Sequence, residues 1–103
     1  MDNQLKRGLI EVCVLAFLRK GDSYGYQLIG EVSQLIDVSE STLYPVLRRL
    51  EAAQCLTVYS MEHNGRLRKY YAITEKGHAR IADFVAESQI LLRVIDFIRE
   101  EPI

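Results

Sequence analysis

The chain has 103 residues, which is enough for one domain with a modest core but not for two. Its composition is that of a globular protein, with 49% hydrophobic and 26% charged residues, and its net charge of -1 argues against a protein that coats itself in nucleic acid. The longest apolar run, VCVLAFL, is far shorter than the ~20 residues of a membrane span and lacks a following small-residue cleavage site, so we expect neither a membrane segment nor a signal peptide.

Two helices are predicted in the first third of the chain. The first covers about residues 5–20 and is apolar nearly all round, which indicates burial on several sides. Asp22 or Ser23 is the expected cap of a second helix that extends to about Leu35. Gly30, inside this second helix, is interpreted as a point of close packing.

A third helix is predicted over residues 39–53, and it carries a proline beyond its first turn. On a wheel of about 100° per residue, one face is apolar and is expected to face the core: Leu43, Val46, Leu47 and Leu50. The opposite face carries Ser41, Tyr44, Pro45, Arg48 and Ala52, with Thr42 and Arg49 at one flank. A proline inside a helix costs about 3 kcal/mol, but here the freed carbonyl points outward, where water can satisfy it.

This outer face has the chemistry of a DNA-reading surface. Hydroxyls and a bidentate arginine suit phosphates and base edges, and the ring of Pro45 suits a thymine methyl group. The alternative is structural, because Tyr44 and Pro45 would also serve by packing against the hairpin or a neighbouring loop.

A β-hairpin is predicted after the third helix. Its turn is Asn64-Gly65, because a type I′ turn needs positive φ at both central residues. Counting back from this turn pairs Val58 with Tyr71 and Leu56 with Ile73 on one face. The other face carries Tyr59, Met61, Arg68 and Tyr70.

Basic residues are concentrated in the middle of the chain. Residues 43–80 contain seven basic and three acidic side chains, so this segment carries +4 and the remainder -5. Such clustering is typical of a local polyanion site, whereas a merely solvated face would not predict it. Arg66 and Arg68 alternate along the hairpin with Lys69 beside them, and we predict that Arg66 reaches phosphate or the minor groove.

The last helix is predicted to begin after Thr74 and to be about 39 Å long. One side follows 3-4-3-4-3 spacing, a heptad seam interrupted by one serine: Ile81, Phe84, Ser88, Leu91, Ile95 and Ile98. Nothing else in the chain can cover the far half of this helix. We therefore expect residues 1–74 to form the DNA-binding domain and residues 75–103 a dimerisation helix that also touches the first helix.

Four segments together resemble the PadR family of winged helix-turn-helix transcriptional regulators: YGYQL at 24–28, TLYPVLRRLE at 42–51, NGRLRKYYAIT at 64–74, and the following Glu-Lys-Gly. The resemblance covers residues 5 to about 80 in the same order and spacing. It implies a mainly α (α+β) winged-helix fold with a two-stranded wing and, as in the short subfamily, a single C-terminal dimerisation helix. It also implies a cytoplasmic homodimer, usually a repressor, that binds double-stranded DNA and in many members releases it when a small aromatic effector binds.

Two departures from the family pattern are visible. Gln54 stands where the family usually has glycine after the recognition helix, which puts the left-handed helix stop in doubt. The chain also contains no tryptophan, so a drug pocket built from stacked tryptophans is not expected. If an effector binds, the dimer seam near Ser88, with Phe84, Phe17 and Cys13 as possible lining, is the expected place, and a packed seam without a cavity is the alternative.

Other functions are weaker hypotheses. His63 and His78 are isolated, and the sequence has no catalytic set, metal-ligand spacing or phosphate loop, so we expect no enzyme, metal or cofactor. Cys13 and Cys55 are expected to be buried thiols in a reducing cytosol. The main rival is a winged-helix module that binds another protein without binding DNA, and a DNA binder without any effector is a third hypothesis.

Overall fold

The computed structural model describes residues 1–100 and shows four helices and a small sheet. In chain order, the elements are α1 (Asn3–Lys20), β1 (Ser23–Tyr24), α2 (Gly25–Ser33), α3 (Glu40–Ala52), β2 (Leu56–His63), β3 (Arg66–Ile73) and α4 (Glu75–Arg99). The strands form one antiparallel sheet in the order β1-β3-β2. This is the predicted winged helix fold, with one strand more than the two that were predicted.

The first helix begins two residues earlier than predicted, because Asp2 caps it. The Asp2 carboxylate accepts a hydrogen bond from the Leu5 N–H at 3.0 Å. One side of α1 is buried in the core through Ile10, Val14, Leu15 and Leu18. The neighbouring side, which includes Cys13 and Phe17, is only half-buried. The prediction of burial on several sides is therefore met only in part within one chain.

The second helix begins at Gly25, so the predicted caps are wrong. Ser23 and Tyr24 instead form β1 and pair with Tyr71 and Tyr70 of β3. Two residues are too few to show a strand's alternation in sequence, which is why this strand was missed. The helix ends at Ser33, and Leu35 beyond it is 70% exposed.

The close packing expected at Gly30 lies at Gly25 instead. Gly30 is exposed, and a Cβ there would meet nothing within 4 Å. At Gly25, a Cβ would lie 2.6 Å from the Tyr44 hydroxyl oxygen. Glycine at position 25 therefore makes room for a side chain of α3.

Helix α3 keeps a left-handed stop although it lacks the glycine. Gln54 has φ +63°, the Cys55 N–H donates to the Leu50 carbonyl at 2.8 Å, and the Gln54 N–H donates to the Glu51 carbonyl at 2.9 Å. These are the two hydrogen bonds of a Schellman motif. The conformation costs a non-glycine residue about 1–2 kcal/mol, which the surrounding hydrogen bonds must offset.

The hairpin has the predicted register. Val58 pairs with Tyr71 and Leu56 with Ile73, and the turn residues Asn64 and Gly65 have φ values of +52° and +78°. Positive φ at both central positions is the requirement of a type I′ turn, so this prediction is confirmed.

The last helix leaves the body of the domain after its second turn. Thr74 caps α4 by accepting a hydrogen bond from the Gly77 N–H at 3.1 Å. Only Gly77 and Ile81 of this 25-residue helix are buried, and every residue from position 89 to 99 is exposed. The domain is consequently elongated, 66 × 26 × 21 Å. No helix within residues 1–100 is long and apolar enough to cross a membrane.

Candidate nucleic-acid interface

Helix α3 buries one face and exposes the other, as the wheel predicts. Leu43, Val46, Leu47 and Leu50 are at most 1% exposed. At the start of α3, the Ser39 hydroxyl lies 2.9 Å from the Ser41 hydroxyl and 3.3 Å from that of Thr42. Both Ser41 and Thr42 are exposed. The first turn of α3 therefore presents a group of hydroxyls to solvent.

Pro45 is half-buried beside α1 and does not lie on a fully exposed face. The helix continues through it with trans peptide bonds. It borders a groove, the α1–α3 groove, whose lining residues are Asn3, Lys6, Arg7, Ile10, Ser41, Thr42, Pro45 and Arg49. These include three basic side chains and no acidic one. Pro45 thus forms the apolar side of a positively charged groove.

Tyr44 packs on the start of α2 and remains partly accessible. Its hydroxyl and ring edge occupy the space above Gly25, and 37% of the residue is exposed. Part of the structural alternative therefore holds for this residue, since its ring is a packing element. The exposed remainder faces a second groove.

This second groove, the α3–wing groove, separates α3 from the wing, which is the hairpin of β2 and β3. It is lined by Tyr44, Leu47, Arg48, Glu51, Val58, Lys69 and Tyr71. Arg48 and Lys69 supply positive charge from opposite sides of it. Burial raises the pKa of Tyr71, and the neighbouring Tyr44 and Glu51 raise it further, whereas Arg48 lowers it.

Arg49 is partly engaged within its own chain. Its Nε donates to Oε1 of Glu11 in α1 at 3.3 Å, and the other carboxylate oxygen of Glu11 accepts a hydrogen bond from Arg80 of α4. The side chain of Arg49 is still 40% exposed. Arg49 therefore lies in the α1–α3 groove and pairs with Glu11, a contact that the sequence alone does not predict.

The three basic residues of the wing lie on two different faces. Arg66 is exposed beside the turn, opposite His63. The guanidinium carbon of Arg68 lies 3.9 Å from the centre of the Tyr24 ring, a cation–π contact on the outer face of the sheet. Strand alternation places Lys69 on the other face, toward α3.

An aromatic cluster fixes the outer face of the sheet. Tyr70 stacks on Tyr59 with ring centres 5.6 Å apart and meets Tyr24 edge-on at 5.7 Å. The Tyr59 hydroxyl donates to the Asp22 carboxylate at 2.7 Å, which raises the pKa of Tyr59. Arg68 is thus part of a packed cluster, whereas Arg66 has no such contact within residues 1–100.

Lys6 and Arg7 were missed by sequence analysis. They lie in the first turns of α1, where nothing in the sequence shows that this end of α1 runs beside the start of α3. Their one visible signal is a pair of adjacent basic residues ahead of an apolar run, which a solvated helix start explains equally well. Only the tertiary contact assigns them to the groove.

The predicted seam on α4 divides into a buried and an exposed part. Ile81 is 7% exposed and belongs to the core of its own chain. Phe84 and Ser88 are half-buried, whereas Leu91, Ile95 and Ile98 are 50%, 37% and 70% exposed. Further large apolar residues on other sides of α4 are exposed as well: Val85, Ile90, Leu92, Val94 and Phe97.

Comparison with known proteins gives consistent matches over most of the chain. The sequence pattern of the transcriptional regulator PadR-like family matches residues 14–83. The structure of smu.1704 from Streptococcus mutans UA159 is 40% identical with a TM-score of 0.83, covering 94% of this chain and 92% of that one. A PadR family transcriptional regulator from Eggerthella lenta DSM 2243 is 30% identical with a TM-score of 0.83, covering 96% and 88%. A transcriptional regulator from Clostridium thermocellum, Cth-833, is 28% identical with a TM-score of 0.85, covering 97% and 99%.

Proposed function

Because the chain belongs to the PadR-like family of transcriptional regulators, we propose that it is a sequence-specific DNA-binding regulator that acts as a homodimer. The supporting observation is that the exposed side of α3 lies between two grooves with basic side chains. Lys6 and Arg7 border one side in the α1–α3 groove, and Lys69 borders the other in the α3–wing groove. Cationic groups on both sides of a helix in the major groove can contact the two phosphate backbones that border it.

Within this surface we assign reading to α3 and backbone contacts to its borders. Ser41, Thr42, Tyr44 and Arg48 face base edges and nearby phosphates, and Pro45 lies beside an apolar base edge such as a thymine methyl group. The border contacts come from Lys6, Arg7, Arg49 and Lys69. Arg66 reaches phosphate or the minor groove from the wing tip, while Arg68 supports the wing through Tyr24.

Dimerisation is assigned to α4. The second half of α4 exposes many apolar residues to water, and pairing with the α4 of a second protomer would bury them. We infer that the half-buried side of α1 at Cys13 and Phe17 also contributes to this interface. Residues 1–74 then form the DNA-binding domain and residues 75–103 the dimer helix, of which 101–103 lie outside the described residues. Ile81 is left out of the interface because it is already buried in its own chain.

Repression in the cytoplasm and control by a small aromatic effector are the finer parts of the proposal. A dimer bound across a promoter would exclude polymerase from it. Of the four residues predicted to line an effector site, only Phe84 borders the crevice between α1 and α4, and Ser88, Phe17 and Cys13 do not. An aromatic ring would find apolar contacts there at Val12 and Phe84. The charged side chains of the crevice would surround its polar substituents: Glu11, Lys76, Arg80, Asp83 and Glu87. Isothermal titration with a panel of phenolic acids tests the effector, and uniformly flat traces would count against this class.

The DNA-binding proposal is tested by selecting bound duplexes from a random pool over a salt series. We expect a pseudo-palindromic operator with half-sites about 10 bp apart or a multiple of one turn. Lys6→Ala and Arg7→Ala should each make the salt dependence shallower by roughly 0.9 in log–log slope, because each removes one phosphate contact. The matched control is Arg19→Ala, at the opposite end of α1, where the slope should not change.

Failure to enrich any duplex at low salt would contradict DNA binding. It would favour the rival proposal of a winged-helix module for protein partners, since that module needs the same fold and dimer helix.

A further inference from the structure

Glu11 is the only charged side chain that is buried within residues 1–100. It sits in α1 and is 8% exposed. One carboxylate oxygen accepts from Arg49 of α3 and the other from Arg80 of α4. A single carboxylate therefore joins the recognition helix to the root of the proposed dimer helix.

The two arginines share this carboxylate unequally. Arg80 donates through a terminal nitrogen and makes the shorter contact, whereas Arg49 donates only through Nε at 3.3 Å. Arginine–carboxylate pairs are frequently bidentate, because the planar guanidinium matches the two oxygens of a carboxylate. Here only one oxygen of Glu11 accepts from Arg49, and the other accepts from Arg80.

The consequence for Arg49 is that its two terminal nitrogens remain available. They make no hydrogen bond to any residue among positions 1–100, and 40% of the side chain is exposed at the α1–α3 groove. Such a guanidinium, fixed by Nε and open at its other end, is oriented for a phosphate oxygen.

We propose that Arg80 is a positioning residue for DNA binding: by occupying one oxygen of Glu11, it keeps the guanidinium of Arg49 free for a DNA phosphate. This inference rests on the proposed function. It places the control of a DNA contact on α4, at a residue that does not itself touch the groove. A movement of α4 that separates Arg80 from Glu11 would pull Arg49 inward and weaken binding to every sequence alike.

The test is a double-mutant cycle on the full-length protein, measured by titration of a selected duplex at several salt concentrations. Arg80→Gln should weaken binding about 5-fold and make the salt slope shallower by roughly 0.9, as for one lost phosphate contact. Glu11→Gln should bind at least as well as the unmutated protein. In the Glu11→Gln background, Arg80→Gln should have no effect, because no carboxylate remains to capture Arg49.

The cycle separates this mechanism from general electrostatics, and a stability measurement separates it from instability. Loss of one positive charge at a distance would weaken binding by the same factor in both backgrounds, and Arg19→Gln measures that factor. Removing both partners of a buried ion pair also restores a destabilised fold, so instability is excluded by thermal unfolding, in which Arg80→Gln should be fully folded at the assay temperature. Equal effects of Arg80→Gln with and without Glu11 would overturn the proposal.

A measurement without DNA completes the test. In the arginine side-chain NMR spectrum, the terminal groups of Arg49 should lose mobility in Arg80→Gln as both oxygens of Glu11 engage them. An unchanged Arg49 signal would overturn the proposal even where DNA binding is weakened. If the unmutated protein enriches no duplex, the proposed function itself fails, and this is seen before any variant is made.

Discussion

The contact between α4 and the end of α3 depends on the absence of a side chain at Gly77. A Cβ at that position would lie 2.3 Å from the Cys55 carbonyl oxygen and 2.6 Å from Cγ1 of Ile73. The carbonyl cannot turn away freely, because it accepts a hydrogen bond from the Thr74 N–H at 3.1 Å. Restoring an ordinary contact would therefore require a displacement of about 1 Å between the two segments.

Gly77→Ala should consequently destabilise the protein. Overpacking of a core costs about 1–3 kcal/mol, and a backbone clash lies at the upper end of that range. The better helix propensity of alanine returns up to about 1 kcal/mol, which leaves a net loss of about 2 kcal/mol. For a domain of this size, that loss lowers Tm by roughly 8–16 °C.

Gly30→Ala is the matched control. Gly30 is also helical, but a Cβ there would meet nothing within 4 Å, so the same substitution should stabilise by about 0.5–1 kcal/mol. Thermal unfolding followed by circular dichroism, at one fixed protomer concentration because a dimer's Tm depends on concentration, measures both. A Tm of Gly77→Ala equal to or above that of the unmutated protein would refute the reasoning.

Three further predictions concern the wing, the recognition helix and the dimer. Arg66→Ala should weaken binding to all duplexes and make the salt slope shallower by roughly 0.9, because it removes one phosphate contact. Arg68→Ala should mainly lower Tm, since its cation–π contact with Tyr24 is worth about 0.5–2 kcal/mol. An equal effect of the two variants on the salt slope would contradict the assignment. Gly25→Ala should lower operator affinity about 10-fold by displacing Tyr44, as one lost base contact of about 1–3 kcal/mol would, and should cause no further loss in a Tyr44→Ala background. Leu91→Glu should give monomers or aggregates in sedimentation at micromolar concentration, and an unaffected dimer would exclude this part of α4 from the interface.

Periodic features of the fold could be predicted from the sequence. The apolar face of α3, the Asn64-Gly65 turn and the strand register each depend on the spacing of residues that are close in sequence. This spacing can be read directly from the sequence. The left-handed stop at Gln54 was in doubt because propensity alone disfavours glutamine there. It forms because the hydrogen bonds to the end of α3 require it, so tertiary context overrides propensity.

The contacts that define the borders of the candidate site could not be predicted. Glu11 and Arg49 are 38 positions apart, and no periodicity connects them. The same holds for Arg68 on Tyr24, which depends on the two-residue strand β1. In the sequence, the basic residues of the middle segment form one group, whereas in the structure they lie in a groove, in a packed cluster and at an exposed tip.

The junction between α3 and α4 would set the spacing of the two recognition helices in the proposed dimer. The Gln54 carbonyl accepts a hydrogen bond from the Thr74 hydroxyl at 2.7 Å, and Gly77 brings the first turn of α4 against the next carbonyl. A rotation of α4 would therefore act on the end of α3 through these two contacts. Half-sites one turn apart require the two helices to stand about 34 Å from each other. Gly77→Ala should thus change the preferred half-site spacing in a spacer-length series, while the bases read within each half-site stay the same, because those depend on Tyr44 and Arg48.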